Sequence, residues 1–239
     1  EELYARLVDF GRRHGIMICN DNPYSFILND SPLSILAQPG ALDCCLELNS
    51  LSKAHNMAGW RIGMVAAAPD VISEILKVKS QMDSGMFKPL QMAAVKALAQ
   101  GPEWFAELNA EYRRRRELAG NIFDMLGVEY DHDSTGMFLW GRVGQAVTSI
   151  GPRLRCTQTL HTCGCENANS SHHPVRPSEQ QSSIGAQVSE KLLYEAGVFI
   201  TPGFIFGKNG ENHIRISLCA KPEVLKAAAE RIAAALAVG

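Results

Sequence analysis

Apolar residues in the first fourteen positions recur at helical spacing (Leu3, Leu7, Val8, Phe10) and the pattern stops at His14-Gly15. This predicts an amphipathic helix closed by a glycine. Two short, continuous apolar runs follow: "GIMICND" over 15–21 ends in Asn-Asp, and "ALDCCLELNS" over 41–50 ends in Asn-Ser. Such runs suit strands covered on both faces, with polar residues at their carboxyl ends. In open α/β sheets those ends are where ligands bind. "RIGMVAAAP" over 61–69 predicts a third strand, and Pro69-Asp70 opens a helical stretch, broken near Gly85 to Pro89, that continues to about Ala99.

Beyond Gly101-Pro102 the pattern predicts a long helix over 103–126, a strand over 136–143 and a helix over 188–197 that ends on glycine. "VFITPG" reads as a short strand, 212–219 as another, and the chain closes on an amphipathic helix with Pro222 near its first turn. Strands and helices alternate over the first 70 residues and a helix-rich α+β remainder follows, which predicts two subdomains joined by a long helix. Residues 146–186 break the pattern. They are rich in Ser, Thr, Gln, Pro, Cys and His and read as an insertion or disordered loop.

With 239 residues, 46% of them hydrophobic, the chain can build one large or two modest cores. Its formal net charge of -2 gives no global attraction to nucleic acid or to an anionic membrane, so any anion site must be local. No apolar run approaches the roughly 20 residues of a spanning helix, and the first residues lack the order of a signal peptide. The expectation is a soluble, cytoplasmic protein. The run Arg113 to Arg116 lies near Glu107, Glu111 and Glu117 on a predicted helix and reads as a salt-bridged, solvated face.

Four of the seven cysteines, Cys19, Cys44, Cys45 and Cys219, lie in apolar segments and read as packing. Cys156, Cys163 and Cys165 share 146–186 with His161, His172 and His173. A zinc site there is conceivable, but Cys-x-Cys is tighter than the usual structural pair and the polar surroundings predict no scaffold. No metal is assigned.

The chemistry concentrates in "LNSLSKAHNMAGWRIG" over 48–63. Lys53 follows an apolar strand, Ser50 and Ser52 offer hydroxyls beside it, and Arg61 comes eight residues later with a fork suited to phosphate. A lysine becomes a nucleophile when its surroundings disfavour the ammonium, and its commonest use is with a carbonyl cofactor. Lysine plus phosphate site suggests pyridoxal phosphate; the bland reading is a solvated loop lysine. Gly59 and Gly63 read as allowing tight turns.

This stretch is similar at every fixed position to the lysine signature of class I and II aminotransferases of pyridoxal-phosphate fold type I. The resemblance implies an α/β fold: the C-terminal part of the cofactor-binding large domain, with a mixed, mostly parallel sheet, plus an α+β C-terminal small domain. It divides the chain into 1–72 for the large domain, 73–100 for an interdomain helical segment, and 101–239 for the small domain with the irregular insert. By resemblance, Lys53 anchors pyridoxal 5'-phosphate and moves a proton, Asp21 keeps the ring nitrogen protonated, and Tyr24 bonds the phenolic oxygen. Ser50, Ser52 and Arg61 hold the phosphate, and Arg215, in "ENHIRISLC", grips the substrate carboxylate. On their own, Asp21 is equally a turn residue and Arg215 a half-exposed sheet arginine.

The likeness covers 1 to about 145 and 187–239 and is similar to the C-terminal part of such an enzyme. The chain starts without methionine, and the family's first glycine-rich phosphate turn, ring-stacking aromatic and phenol-binding asparagine have no counterpart in it. A truncated chain is therefore expected, and with it amino-acid and 2-oxo-acid substrates and a homodimer. A β-lyase of the same fold, or a ligand-sensing domain of a transcription regulator, are the other readings of the same residues.

Overall fold

The computed structural model describes residues 1–144 and 183–237; the cysteine and histidine cluster of 146–186 lies outside them. The chain divides into two compact units, one of residues 1–116 and 133–138, the other of 117–132 and 139–239.

In the first unit, helix α1 (Glu2–His14) ends on Gly15 in the left-handed region at φ 63°, where the missing Cβ removes the steric cost. Strands β1 (Ile18–Asp21) and β2 (Cys45–Ser50) pair in parallel, and β3 (Gly63–Ala66) runs antiparallel to β2, in the order β1-β2-β3. Val8 of α1 packs with Ile35, Ala41, Cys44 and Cys45 in one cluster. Between β2 and β3 lies a short helix, α2 (Leu51–Ala54). Helices α3 (Pro69–Met82) and α4 (Lys88–Leu98) each carry proline in the first turn and are separated where the sequence predicts a break.

Helix α5 (Pro102–Met125) passes from the first unit into the second. Its arginine run is engaged as expected: Arg115 Nε pairs with Glu111 at 2.8 Å, one turn away, and Arg113 Nη2 with Asp30 at 3.2 Å. The second unit holds β4 (Val128–Tyr130), β5 (Phe138–Val143), β6 (Thr201–Pro202) and β7 (His213–Ser217) in the order β4-β5-β7-β6 among the described residues. Helices α6 (Ile184–Ala196) and α7 (Pro222–Ala237) complete it. Phe123, Leu139, Ile214, Leu218 and Ile232 are among its fully buried side chains.

Four features differ from the sequence reading. The first part of "ALDCCLELNS" forms a 3-10 turn, Ala41–Asp43, because Gly40 turns the chain at φ 75° before the strand can start. Strand β4 has three residues, too few to show a period. Strand β1 alternates half-buried with exposed and so is not covered on both faces by the described residues. That alternation carries Cys19 to the exposed face, and Cys219 lies in the turn after β7; of the four cysteines read as packing, Cys44 and Cys45 are buried and the other two are exposed.

Candidate functional site

Three apolar residues shape the stretch over 48–63. Leu51, Met57 and Ile62 are buried together and pack against Leu90, Ala93, Ala94 and Ala97 of α4. Burying three such side chains contributes roughly 1.5–3 kcal/mol each, enough to close a polar loop onto α4. Backbone bonds lock the closure: Leu51 N–H donates to the Ile62 carbonyl at 3.2 Å and Met57 N–H to the Leu51 carbonyl at 3.2 Å. Of the intervening polar residues, Asn56 and Arg61 are exposed and Ser52, Lys53 and His55 are half-buried.

Ser50 caps α2, accepting from Ser52 N–H at 3.1 Å, and its hydroxyl donates to that of Ser52 at 2.8 Å. Strand pairing sets Ser50 opposite Gly63, which returns Arg61 to the neighbourhood of the two serines. Arg61 is exposed and left-handed at φ 54°, and its Nη1 donates to the Ala58 carbonyl at 3.0 Å. Asn56 is also left-handed, at φ 54°, whereas neither Gly59 nor Gly63 has a positive φ. The strained turns thus fall on Asn56 and Arg61 and not on the glycines; a non-glycine residue there costs of order 1–3 kcal/mol and clusters at ligand sites. What Gly63 supplies is clearance, since a Cβ would meet the Asn49 carbonyl at 3.0 Å.

Lys53 Nζ lies 5.7 Å from the centroid of the Tyr24 ring, which in turn meets Phe138 edge-on at 6.1 Å. Tyr24 begins the turn that follows β1, closed by Ile27 N–H donating to its carbonyl at 2.9 Å. Asp21 ends β1 and is exposed. Its neighbours Asn20 and Asn22 both reach the carboxylate of Glu47, at 3.0 and 3.4 Å, so strand alternation leaves Asp21 on the other face. Glu47 is buried and accepts further bonds from Ser34 Oγ and Ile35 N–H, at 2.9 and 3.1 Å. Sequence reasoning missed Glu47; the available signal was a carboxylate within the apolar run of β2.

His55, next to the end of α2, meets Phe105 edge-on at 5.6 Å. Its Nδ1 is buried with no hydrogen-bond partner among the described residues, and burial lowers its pKa below the ordinary histidine value.

Arg215 belongs to the second unit. Ile214 and Ile216 of β7 are buried and Arg215 alternates with them, as the sequence predicts. Its guanidinium carbon lies 4.2 Å from the Phe206 ring centroid. With Phe199, Thr201, Val224 and Arg231 it lines a largely apolar cavity of about 590 Å³.

The structure therefore places Asp21 at the carboxyl end of β1, Ser50 at that of β2, and Tyr24, Ser52, Lys53 and Arg61 on the loops that follow these strands; it brings Lys53 to Tyr24 and Ser50 to Ser52. Two hydroxyls 2.8 Å apart and a guanidinium suit a phosphate, an amine suits an aldehyde, and an exposed carboxylate suits a protonated ring nitrogen. This donor set fits pyridoxal 5'-phosphate. Among the described residues no group of three or more His, Cys, Asp or Glu is disposed to hold a metal ion, and no helix is long and apolar enough to cross a membrane.

Residues 1–232 match the family model described as aminotransferase class I and II. Similar curated proteins include LL-diaminopimelate aminotransferase of Natranaerobius thermophilus, 32% identical over 97% of this chain and 51% of that protein. The enzyme of the same description from Nitratidesulfovibrio vulgaris strain Hildenborough is 34% identical over 96% of this chain and 51% of its own length. The chain spans about half the length of the curated relatives it matches. Among solved structures, an aromatic aminotransferase from Pyrococcus horikoshii aligns with a TM-score of 0.74 at 26% identity, covering 98% of this chain and 54% of that one. A probable N-succinyldiaminopimelate aminotransferase from Thermus thermophilus aligns at 0.75 and 25% identity, over 98% and 54%.

Proposed function

Because the chain belongs to the class I and II aminotransferases, we propose that the full-length protein moves an amino group between an amino acid and a 2-oxo acid, with Lys53 as the anchor of pyridoxal 5'-phosphate. The observation that carries this reading is the placement of the Lys53 amine 5.7 Å from the Tyr24 ring, on a closed loop that also presents the paired hydroxyls of Ser50 and Ser52.

When bound, the cofactor supplies an electron sink for the negative charge that develops at the substrate Cα. Lys53 would hold the cofactor through its aldehyde, and its amine would move the proton at the substrate Cα, first as base and then as acid. Asp21 keeps a proton on the ring nitrogen, and the Glu47 hub that engages Asn20 and Asn22 leaves its carboxylate available for that role. Tyr24 would donate a hydrogen bond from its hydroxyl to the cofactor's phenolic oxygen. Ser50, Ser52 and Arg61 take the phosphate, and Arg215 takes the substrate carboxylate through its two-pronged guanidinium.

On this reading residues 1–72 are part of the cofactor-binding large domain, 73–100 connect it, and 101–239 form the small domain. The protein acts in the cytoplasm as a homodimer. The names of its relatives make LL-diaminopimelate the first amino donor to assay. The test is to express the full-length protein and its Lys53→Ala variant. Wild type should carry a visible lysine-linked chromophore and form more than one equivalent of keto acid per site only when an acceptor 2-oxo acid is present. The variant should lose both; persistence of the lysine-linked absorbance in it overturns the assignment. Keto acid released over many turnovers without an acceptor would instead mark an elimination.

A further inference from the structure

We propose that Asn109 is a positioning residue that sets Tyr24 against Lys53, an inference that rests on the reading of Lys53 given above. Asn109 lies on α5 and is only 6% exposed, one of three buried polar or charged residues among those described. Its Oδ1 accepts from Leu28 N–H at 2.8 Å and its Nδ2 donates to the Phe26 carbonyl at 3.0 Å, across sequence separations of 81 and 83. A primary amide supplies acceptor and donor at fixed spacing, so one side chain satisfies two backbone groups of the same turn.

That turn requires holding. Leu28 is left-handed at φ 51°, a conformation that is unfavourable for a branched hydrophobic residue and persists only where the surroundings over-determine it. Ile27 between the two bonded residues is fully buried, and its carbonyl accepts from Gly136 N–H at 2.9 Å. At its start the same turn is closed by Ile27 N–H on the Tyr24 carbonyl. Asn109 therefore pins the far end of the turn that begins at Tyr24.

The adjacent turn of α5 grips the lysine side. Trp104 Nε1 donates to the carbonyl of Ala54, the residue after Lys53, at 2.9 Å. Phe105, four residues before Asn109, stacks on Phe26 at 5.0 Å and meets His55 edge-on at 5.6 Å. One face of α5 thus holds both loops, and the Lys53 to Tyr24 distance follows from where that helix places Trp104, Phe105 and Asn109. Asn109 touches no reacting atom; it acts through Tyr24.

The experiment uses the full-length protein and Asn109→Leu, which keeps the branched shape and removes both hydrogen bonds. Three readings are taken: hydrogen exchange at the Leu28 amide in the cofactor-free protein, the pH midpoint of the lysine-linked chromophore, and kcat against KM. Expected are lost protection at Leu28, a shifted chromophore midpoint, and a fall in kcat of about tenfold to hundredfold, the size associated with ångström-scale misplacement. Tyr24→Phe added to Asn109→Leu should produce little further change, since coupled residues are non-additive. Arg114→Ala, an exposed change on the same helix, should leave all readings at wild type.

Asn109→Asp, which keeps the acceptor for Leu28 N–H and loses the donor, should restore the Leu28 protection and part of kcat; it carries the same test if Asn109→Leu does not fold. Faster exchange at Leu28 with an unchanged midpoint and kcat reduces Asn109 to a structural residue and overturns the proposal. Unchanged Leu28 exchange overturns it as well. A wild type without chromophore instead sinks the assignment of Lys53, and that failure is recognised because it precedes any variant.

Discussion

Asn20 Nδ2 donates to Glu47 Oε2 at 3.0 Å between directly paired residues of the parallel strands β1 and β2. Glu47, 8% exposed, accepts from Asn22, Ser34 and the Ile35 backbone as well, so one buried carboxylate ties the ligand-facing end of β1 to the segment before β2.

Glu47→Ala should therefore destabilise the first unit by about 3 kcal/mol, because one buried and three part-buried donors lose a charged acceptor at once. Glu47→Gln should cost less, about 1–2 kcal/mol, since one acceptor oxygen remains while the amide faces donors. Urea unfolding followed by hydrogen exchange of the β1 and β2 amides checks both; a change within roughly 0.5 kcal/mol, the scatter of ordinary surface substitutions, would contradict the hub.

Arg61 separates stability from ligand binding. Its left-handed backbone favours glycine, so Arg61→Gly should leave the stability of the cofactor-free protein within about 1 kcal/mol of wild type. The same variant should weaken cofactor affinity about tenfold or more through loss of the charged phosphate contact. Thermal unfolding without cofactor and equilibrium titration with pyridoxal 5'-phosphate give the two numbers.

His55 makes stability depend on pH. Burial lowers its folded pKa below the ordinary value near 6.5, so the unfolded chain binds the proton more readily. Its contribution is complete above about pH 6.5 and is lost as pH falls from there through the lowered folded value. His55→Phe removes the titrating group and its unpartnered Nδ1, and should flatten stability between about pH 7 and pH 5 without loss at pH 7. Urea midpoints at the two pH values for both proteins measure this.

Gly185 lets α6 sit against β7. A Cβ there would run into the carbonyl of His213 and lie 3.0 Å from that of Glu211, while its own N–H donates to Glu211 at 2.9 Å. Gly185→Ala should cost about 1–3 kcal/mol through backbone displacement. Since β7 carries Arg215, KM for the amino acid should rise while cofactor affinity stays near wild type. Equal losses in both would contradict a local effect.

Much of this was legible in the chain because its signals are local. Gly15 and Gly197 close helices at φ 63°, proline opens α3, α4, α5 and α7, and the Ile214, Ile216 alternation orients β7. The lysine stretch was readable for the same reason: Ser50, Ser52, Lys53, Gly59, Arg61 and Gly63 are a pattern within sixteen positions. By contrast, residue type alone points to Gly59 and Gly63 for the tight turns that Asn56 and Arg61 in fact make, since composition does not say which residue absorbs strain imposed by packing.

By itself, then, the sequence determined the family, the types of reactive group and the order of the principal elements, all of which depend on residue identity and short spacing. Only the tertiary structure decided that Glu47 is buried beneath Asn20 and Asn22, that Lys53 and Tyr24 stand 5.7 Å apart, and that Asn109 reaches back 81 residues to hold Leu28. The physical reason is that a buried polar group must find its partner wherever the packed chain brings one, and that partner is set by helix and sheet placement and carries no signature in the neighbouring residues.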